Sequence, residues 1–222
     1  MKNSIKEERS QAQAMREQRE AEIHRLIGGD LCLDFANTAN GHVVPPWHEY
    51  LHDYRDLILW ARHAGVLSSG ESTKLLEQAQ AQPSQAEEAF RRALILREAS
   101  FRIFSALAFG RKPAEADLDQ LNGIWQAGQC HAQLIPSASG FALGWDDDPS
   151  LEHVARLITA SAVRLLTSEK IKRVRRCSGD DCDWLFVDTS RNHLRRWCSM
   201  DTCGNHAKMR RRQRRKKLAL SK

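Results

Sequence analysis

The sequence predicts a mainly α protein with a small β-hairpin, in which an N-terminal helical α+β domain precedes a small C-terminal four-cysteine zinc-finger domain. Three observations support this fold class. Apolar residues recur at helical spacing through most of the chain, short alternating runs follow residue 130, and four of the six cysteines lie within residues 177–203. We therefore expect a polar extension over residues 1–25, a ligand-sensing or interaction domain over 26–168, and a nucleic-acid-binding zinc finger over 169–222.

The larger domain is predicted to contain five helices and one hairpin. An apolar, strand-like run with a Gly28-Gly29 turn leads to Thr38. The hairpin is expected from two short extended pieces, 131–135 and 141–143, that flank a Pro- and Ser-containing turn. The predicted helices lie at 51–64, stopped by Gly65; at 72–80, broken by Pro83; at 85–109; at 117–126; and at 151–165, capped by Asp148 with Pro149.

Charge divides the chain near the same boundary. Residues 1–169 contain 17 Lys and Arg against 23 Asp and Glu, whereas residues 170–222 contain 17 against 5, a net charge of +12. Such a basic segment attracts polyanions, and nucleic acid is the simplest such partner. No apolar run approaches the ~20 residues that cross a bilayer, and residues 1–25 show no apolar signal segment. We expect a cytoplasmic protein.

Four cysteines form two CxxxxC pairs, separated by fifteen residues: Cys177, Cys182, Cys198 and Cys203. In a reducing compartment, clustered cysteines hold metal more often than they form disulfides. Zn²⁺ prefers four such ligands, and a complete set of cysteines leaves no open position for water, so one structural zinc is predicted. The alternative is four free thiols in a disordered tail. The apolar run 184–187 between the pairs argues against that alternative.

The residues around these cysteines resemble the CGNR-type zinc finger: Arg176-Cys177, the run from Cys182 to Asn192, the run from Arg195 to Met200, and Cys203-Gly-Asn-His206. Residues 28–38, 57–61 and 96–98 are similar to the N-terminal domain of a bacterial family of proposed stress-induced transcription regulators. The resemblance implies a sensing domain followed by a DNA-binding finger. His206 stands where the family's tetrapeptide ends in Arg, and a neutral imidazole would contact a phosphate more weakly. We do not expect His206 to be an additional zinc ligand.

Arginine-rich segments flank the finger. A helix that starts at the zinc site would place residues 208, 211, 212 and 215 along one side, and a short helix is expected to carry Arg191, Arg195 and Arg196. Duplex DNA is preferred over RNA because the candidate stacking residues Trp184 and Trp197 are expected to pack around the zinc. The alternative is a solvated basic tail. The candidate DNA contacts are Arg191, Asn192, Arg195, Arg196, Asn205, His206, Lys208, Arg211, Arg212 and Arg215.

A competing enzyme motif occurs earlier in the chain. His48-Glu-Tyr-Leu-His52 spells HExxH, and with Glu71 its spacing is similar to that of one group of zinc metallopeptidases. On a helix, the two histidines would share a metal while Glu49 served as general base. We rank this alternative below the regulator because the motif is short and lies on a helix face expected to be solvated. The primary prediction is a protein without catalysis.

The N-terminal domain is a candidate sensor for an unidentified small-molecule effector, a unit for homodimerisation, or both. Asp34, Asn37 and Thr38 follow the apolar run and are candidates for the edge of a ligand pocket. Their alternative role is capping of a helix or turn. Cys32 lies between two leucines, so a small buried side chain is expected rather than a redox-sensitive thiol.

Overall fold

The computed structural model describes residues 25–137, 140–145 and 150–220, and within them it contains seven α-helices and three two-stranded antiparallel sheets. The helices are α1 Leu31–Ala36, α2 Tyr54–His63, α3 Ser69–Ala81, α4 Pro83–Ala108, α5 Glu115–Gly128, α6 His153–Leu166 and α7 Asn205–Leu220. The strand pairs are β1 Ala39–Asn40 with β2 His48–Glu49, β3 Ala132–Ser137 with β4 Gly140–Trp145, and β5 Val174–Arg176 with β6 Leu185–Val187. The predicted mainly α fold class is confirmed.

Helix α4 is the centre of the fold. It contacts the other helices of the N-terminal half and also β5, and its apolar side is fully buried at Leu96, Ile103 and Phe104. Its length agrees with the predicted amphipathic helix, but its start does not. As predicted, Pro83 ends the preceding helix, since α3 stops at Ala81. It is also the first residue of α4, because a proline at the first helical position gives up only an amide that would be unpaired anyway.

Two predictions about the first elements are wrong. The run before Thr38 is not strand-like: it forms α1, after a turn in which Gly29 adopts a φ of +76°. A short run that is apolar on nearly every side cannot be distinguished from a strand by periodicity. Helix α2 starts at Tyr54 rather than at residue 51, because the side chain of Asp53 accepts a hydrogen bond from the amide of Asp56 and caps the helix there.

The zinc-finger region shares its core with the helices. Val174, Leu185 and Val187 belong to the same buried apolar cluster as α1, α4 and α6. The buried Asn37 amide donates to the carbonyl of Leu185 (2.9 Å) and accepts from its backbone N–H (2.8 Å). The amide of Val187 donates to the carbonyl of Gly28. The segment around α1 thus takes the place of a neighbouring strand beside β6.

The hairpin β3–β4 is longer than predicted and stands at the surface. Leu134 and Phe141 are 72% and 75% exposed. The predicted cap at Asp148 with Pro149 and most of the predicted extension over 1–25 lie outside the described residues. In the part of the chain that is described, no helix combines the length and the apolar character needed to cross a membrane.

Replacing Asn37 tests the link between α1 and β6. Asn37→Ala leaves the amide and carbonyl of the buried Leu185 without partners, and each unsatisfied group costs about 1–3 kcal/mol. We expect the free energy of unfolding to fall by roughly 2–4 kcal/mol, as measured by urea denaturation. The control Asn122→Ala, at an exposed position of α5, should leave stability nearly unchanged. Equal stability of the two variants would contradict this role.

Candidate metal centre and nucleic-acid interface

The first cysteine pair is positioned by the hairpin β5–β6. Cys177 follows β5 directly, and its amide donates to the carbonyl of Trp184. Between the strands, the chain turns so that the amide of Gly179 points at the sulfur of Cys177 (3.4 Å). A Cβ atom on Gly179 would lie 3.3 Å from the sulfur of Cys203, so the turn is tight against the site. We call this turn, residues 178–181, the first knuckle of the site, and the segment 198–203 the second knuckle.

The second pair is delivered by an irregular segment. Cys198 is buried, and its amide donates to the sulfur of Cys177 (3.3 Å). Cys203 lies in a single wide helical turn, Met200–Gly204, immediately before α7. The amide of Ser178 donates to the carbonyl of Arg196 (2.9 Å), which ties the two knuckles together. The sulfur atom of Cys177 is thereby placed beside those of Cys198 and Cys203, which lie more than twenty positions later in the sequence.

The four sulfur atoms fit a zinc ion. All lie within 4.8 Å of one another, and the Cys182–Cys198 and Cys198–Cys203 separations are both 3.7 Å. Sulfurs at about 2.3 Å from a central Zn²⁺ at tetrahedral corners would be about 3.8 Å apart. Hydrogen bonds from the Cys182 and Cys198 thiols, aided by the Cys198 amide, lower the pKa of Cys177 well below its ordinary value. A thiolate is the form that binds the metal.

Aromatic residues support the centre. Tyr50, Trp184 and Phe186 form a small buried cluster with two of the cysteines, and Trp197 packs against it. Tyr50 meets Trp184 edge to face, with ring centroids 6.5 Å apart. The prediction that both tryptophans pack around the metal site is confirmed. Trp184 is buried and Trp197 is half-buried, so neither ring is a fully open stacking platform for bases.

Residues 191–196 do not form the predicted short helix. The buried Asp188 accepts hydrogen bonds from the amide and hydroxyl of Ser190 and from the amide of Arg195, which holds the segment in a loop. Burial alone would raise the pKa of Asp188, but these hydrogen bonds lower it below its ordinary value. Such a loop could not be predicted from the sequence, because the hydrogen bonds of one aspartate leave no periodic pattern of residues.

Arg195 is turned inward rather than outward. Its guanidinium donates to the carbonyls of Trp197 and Cys198 and lies 4.3 Å from the centroid of the Phe186 ring. It thus braces the backbone of the second knuckle. The neighbouring Arg191, Asn192 and Arg196 are exposed.

Helix α7 begins directly at the centre and carries the predicted basic side. Asn205, His206, Lys208, Arg211 and Arg212 are exposed along it, while only the backbone of position 215 is described. His206 does not join the sulfur cluster, since the metal-competent group comprises the four cysteines.

An unpredicted ion pair anchors α7. The guanidinium of Arg210 donates to the carboxylates of both Asp180 and Asp181 on the first knuckle. These aspartates raise the pKa of Arg210 above its already high value. Arg210 holds one side of the helix to the knuckle. Helical spacing places the exposed Lys208, Arg211 and Arg212 on the other sides.

The comparisons with known families agree with this geometry. Residues 29–169 match the family ABATE, described as "Putative stress-induced transcription regulator". The chain belongs to the ABATE family. Residues 173–216 match the CGNR zinc finger, and no curated protein matches the chain. An ABATE domain followed by this finger supports a regulator with a nucleic-acid-binding role, and the finger with its four clustered cysteines supports one structural zinc ion.

The HExxH motif does not have the geometry that the peptidase alternative requires. His48 and Glu49 lie in strand β2, and His52 precedes α2, so the residues are not on a common helix. The Glu49 carboxylate is bound at 2.6 Å by both terminal nitrogens of the buried Arg97. Glu71 closes the N-terminal cap of α3 with Ser68. Both families that match the chain are described in regulatory and zinc-finger terms rather than as enzymes.

The predicted pocket residues make structural contacts. Asp34 accepts a hydrogen bond from the amide of Gly28 (2.6 Å), Asn37 holds β6, and the Thr38 hydroxyl donates to the carbonyl of Phe35. Their ligand role stays a prediction. Cys32 is fully buried, as expected, and burial raises the pKa of its thiol well above the ordinary value.

Metal content tests the centre directly. We expect the purified chain to contain one zinc ion, and Cys198→Ser to lose it because three thiolates cannot complete the tetrahedron. Cys130→Ser is the matched control, since Cys130 is exposed and remote from the cluster. Inductively coupled plasma mass spectrometry with a protein assay gives the stoichiometry. Zinc retained equally by both variants would refute the site.

The half-buried Asp34 predicts a pH-dependent difference in stability. Burial raises the pKa of Asp34 to about 6 against an unfolded value of 3.8, so ionisation of the folded form costs stability as pH rises from about 4 through 6. Asp34→Asn should therefore be more stable than the wild type at neutral pH, by roughly 1–3 kcal/mol, and equally stable below about pH 4. Urea denaturation across this range measures it.

The matched change Asp119→Asn, at an exposed position of α5, should follow the wild-type pH profile. An Asp34→Asn variant that is no more stable than wild type at neutral pH would contradict the assignment of a raised pKa to Asp34.

Proposed function

We propose that this chain is a DNA-binding transcription regulator, in which a structural zinc finger with four cysteine ligands presents the Arg-rich helix α7 to duplex DNA. The observation that carries the proposal is the origin of α7. The helix starts two residues after Cys203, and Arg210 fixes its first turns to the opposite knuckle. Its exposed cations therefore project from a rigid base rather than from a free tail.

The spacing of the exposed side chains suits a nucleic-acid groove. Lys208, Arg211 and Arg212 are neighbours on one side of α7, and position 215 continues the row. An α-helix fits the major groove of B-form DNA, where arginine binds guanine or phosphate with two hydrogen bonds. Asn205 and His206 at the start of the helix, with Arg191, Asn192 and Arg196 on the adjoining loop, extend the proposed contact surface.

Arg195 has a different proposed role from the one predicted. Because its guanidinium is used on the carbonyls of Trp197 and Cys198, it positions the loop that carries Arg191 and Arg196 instead of contacting DNA. A residue that is already hydrogen-bonded to the protein would lose those bonds on reaching a phosphate.

The acidic N-terminal part of the chain favours an orientation in which the basic C-terminal part faces the DNA. Residues 1–169 are net negative and residues 170–222 net positive, so a polyanion is attracted to one end and repelled from the other. We assign residues 26–168 to sensing of a small-molecule effector or to homodimerisation and residues 169–222 to DNA, without catalysis. The cytoplasm is the proposed compartment, since bacterial DNA lies there.

Substitution on α7 tests the DNA-contacting side. Arg212→Gln removes one exposed cation, and we expect its affinity for a fluorescein-labelled random-sequence duplex to fall roughly threefold to tenfold, with the salt dependence reduced by about one counterion. The matched control is Arg55→Gln on the exposed side of α2, which should bind as the wild type does. Fluorescence anisotropy across a salt series gives both quantities.

The same assay separates a finger from a basic tail. If the zinc-held geometry presents α7, Cys198→Ser should weaken duplex binding while Cys130→Ser does not. A simple basic tail would bind equally in both variants, and that result would overturn the proposed mechanism.

A further inference from the structure

A cavity of about 560 Å³ opens between α4, the loop before β2, and the start of the zinc finger. Its wall includes His42 and Trp47 from the loop, Phe101 and Phe109 from α4 and its end, and Arg176 from β5. This volume lies within the range of small-molecule sites in proteins. The cavity is distinct from the predicted pocket around Asp34, Asn37 and Thr38, whose polar atoms are used inside the fold.

The walls of the cavity are aromatic and partly uncovered. His42 stacks on Phe101 with ring centroids 3.7 Å apart and an interplanar angle of 10°. Trp47 meets the same imidazole edge to face at 4.8 Å. Trp47 and Phe109 are nevertheless 47% and 52% exposed. Large aromatic surface left open inside a concavity favours a planar guest.

Three cations at the cavity have no acidic partner in the part of the chain that the structure describes. Among the described residues, no carboxylate is hydrogen-bonded to Arg111, Lys112 or Arg176. Arg176 donates to the Ser105 hydroxyl, and its guanidinium lies 4.4 Å from the Phe109 ring centroid.

The remaining charges of the lining are already balanced. The Glu98 carboxylate lies 3.0 Å from Arg97 and 3.3 Å from His42, and Arg102 is paired with Asp117 at 2.6 Å. The cavity therefore presents net positive charge beside aromatic walls, a combination that recognises an anion with a flat apolar body.

We propose that this cavity binds a small planar aromatic carboxylate, with its ring between Trp47 and Phe109 and its anionic group toward Lys112, Arg111 and Arg176. The ring would cover the exposed aromatic surface, and the carboxylate would supply the partner that these cations lack. The buried His42, whose ring nitrogens make no well-aligned hydrogen bond, forms the floor of the slot.

If the chain is the regulator proposed above, this cavity is its effector site. Arg176 immediately precedes the zinc ligand Cys177. On the opposite wall, His42 lies 3.7 Å from the buried Asp183, which follows Cys182 in sequence and accepts a hydrogen bond from the amide of Val43. A ligand that binds Arg176 or displaces His42 would therefore move the backbone next to Cys177 and Cys182, which carry two of the four sulfur atoms.

The test is a calorimetric titration of the zinc-loaded full chain with 1-naphthoate and with 1-naphthamide, the neutral amide of the same ring. We expect 1-naphthoate to bind with a Kd below about 1 mM and the amide at least tenfold more weakly. Lys112→Gln should weaken 1-naphthoate roughly threefold to tenfold without changing the amide. Phe109→Ala should weaken both compounds. Lys74→Gln, the same change at an exposed position of α3, should alter neither.

Absence of 1-naphthoate binding, or equal loss of affinity in Lys112→Gln and Lys74→Gln, would overturn the site. Because the titration contains no DNA, a chain that binds 1-naphthoate but no duplex supports the site while it overturns the proposed DNA function. For a chain that binds both, saturating 1-naphthoate should change duplex affinity at least threefold. An unchanged duplex affinity would overturn the effector role.

Discussion

Four sulfur atoms held within 4.8 Å of one another are the constraint on which the C-terminal half of this protein depends. The chain reaches this point twice, once from the end of β5 and once from the turn before α7. Between the two cysteine pairs lie only a three-residue strand and irregular loops. These bury too little surface to fix the positions of the four sulfur atoms unaided. A metal ion of the kind these thiolates bind supplies that missing rigidity.

The finger is nevertheless not a separate domain joined to the helices only by a linker. Leu185 and Val187 are buried in the core formed by the helices, and Asn37 satisfies the backbone of Leu185 as a neighbouring strand would. A shift in the position of α1 or α4 would therefore also shift β6. The shared core connects the N-terminal helices to the finger without a flexible hinge, and the proposed effector role would use this connection.

Sequence patterns predicted those features whose cause is local. The spacing of the cysteine pairs identified the metal centre, and helical periodicity identified α4 and the basic side of α7. Other features depend on contacts between distant residues, which periodicity cannot reveal. Glu49 is held by Arg97, forty-eight positions away, and it lies with His48 in strand β2 instead of on a helix with His52.

The same reasoning applies within the candidate site. Arg195 was indistinguishable in sequence from the arginines beside it, but the carbonyls of Trp197 and Cys198 lie within its reach. Arg210 belongs to the basic run of α7, and only the fold brings Asp180 and Asp181 opposite it. Composition therefore indicated a nucleic-acid-binding surface, whereas the division between structural and outward-facing cations required the three-dimensional arrangement.

Coordination of one zinc ion by sulfur alone can be tested by measuring the environment of the metal. X-ray absorption at the zinc edge on the full-length protein should show a single shell of four sulfur atoms at about 2.3 Å. A shell that includes nitrogen or oxygen at about 2.0–2.1 Å would instead place a histidine, carboxylate or water on the metal, and would contradict the account.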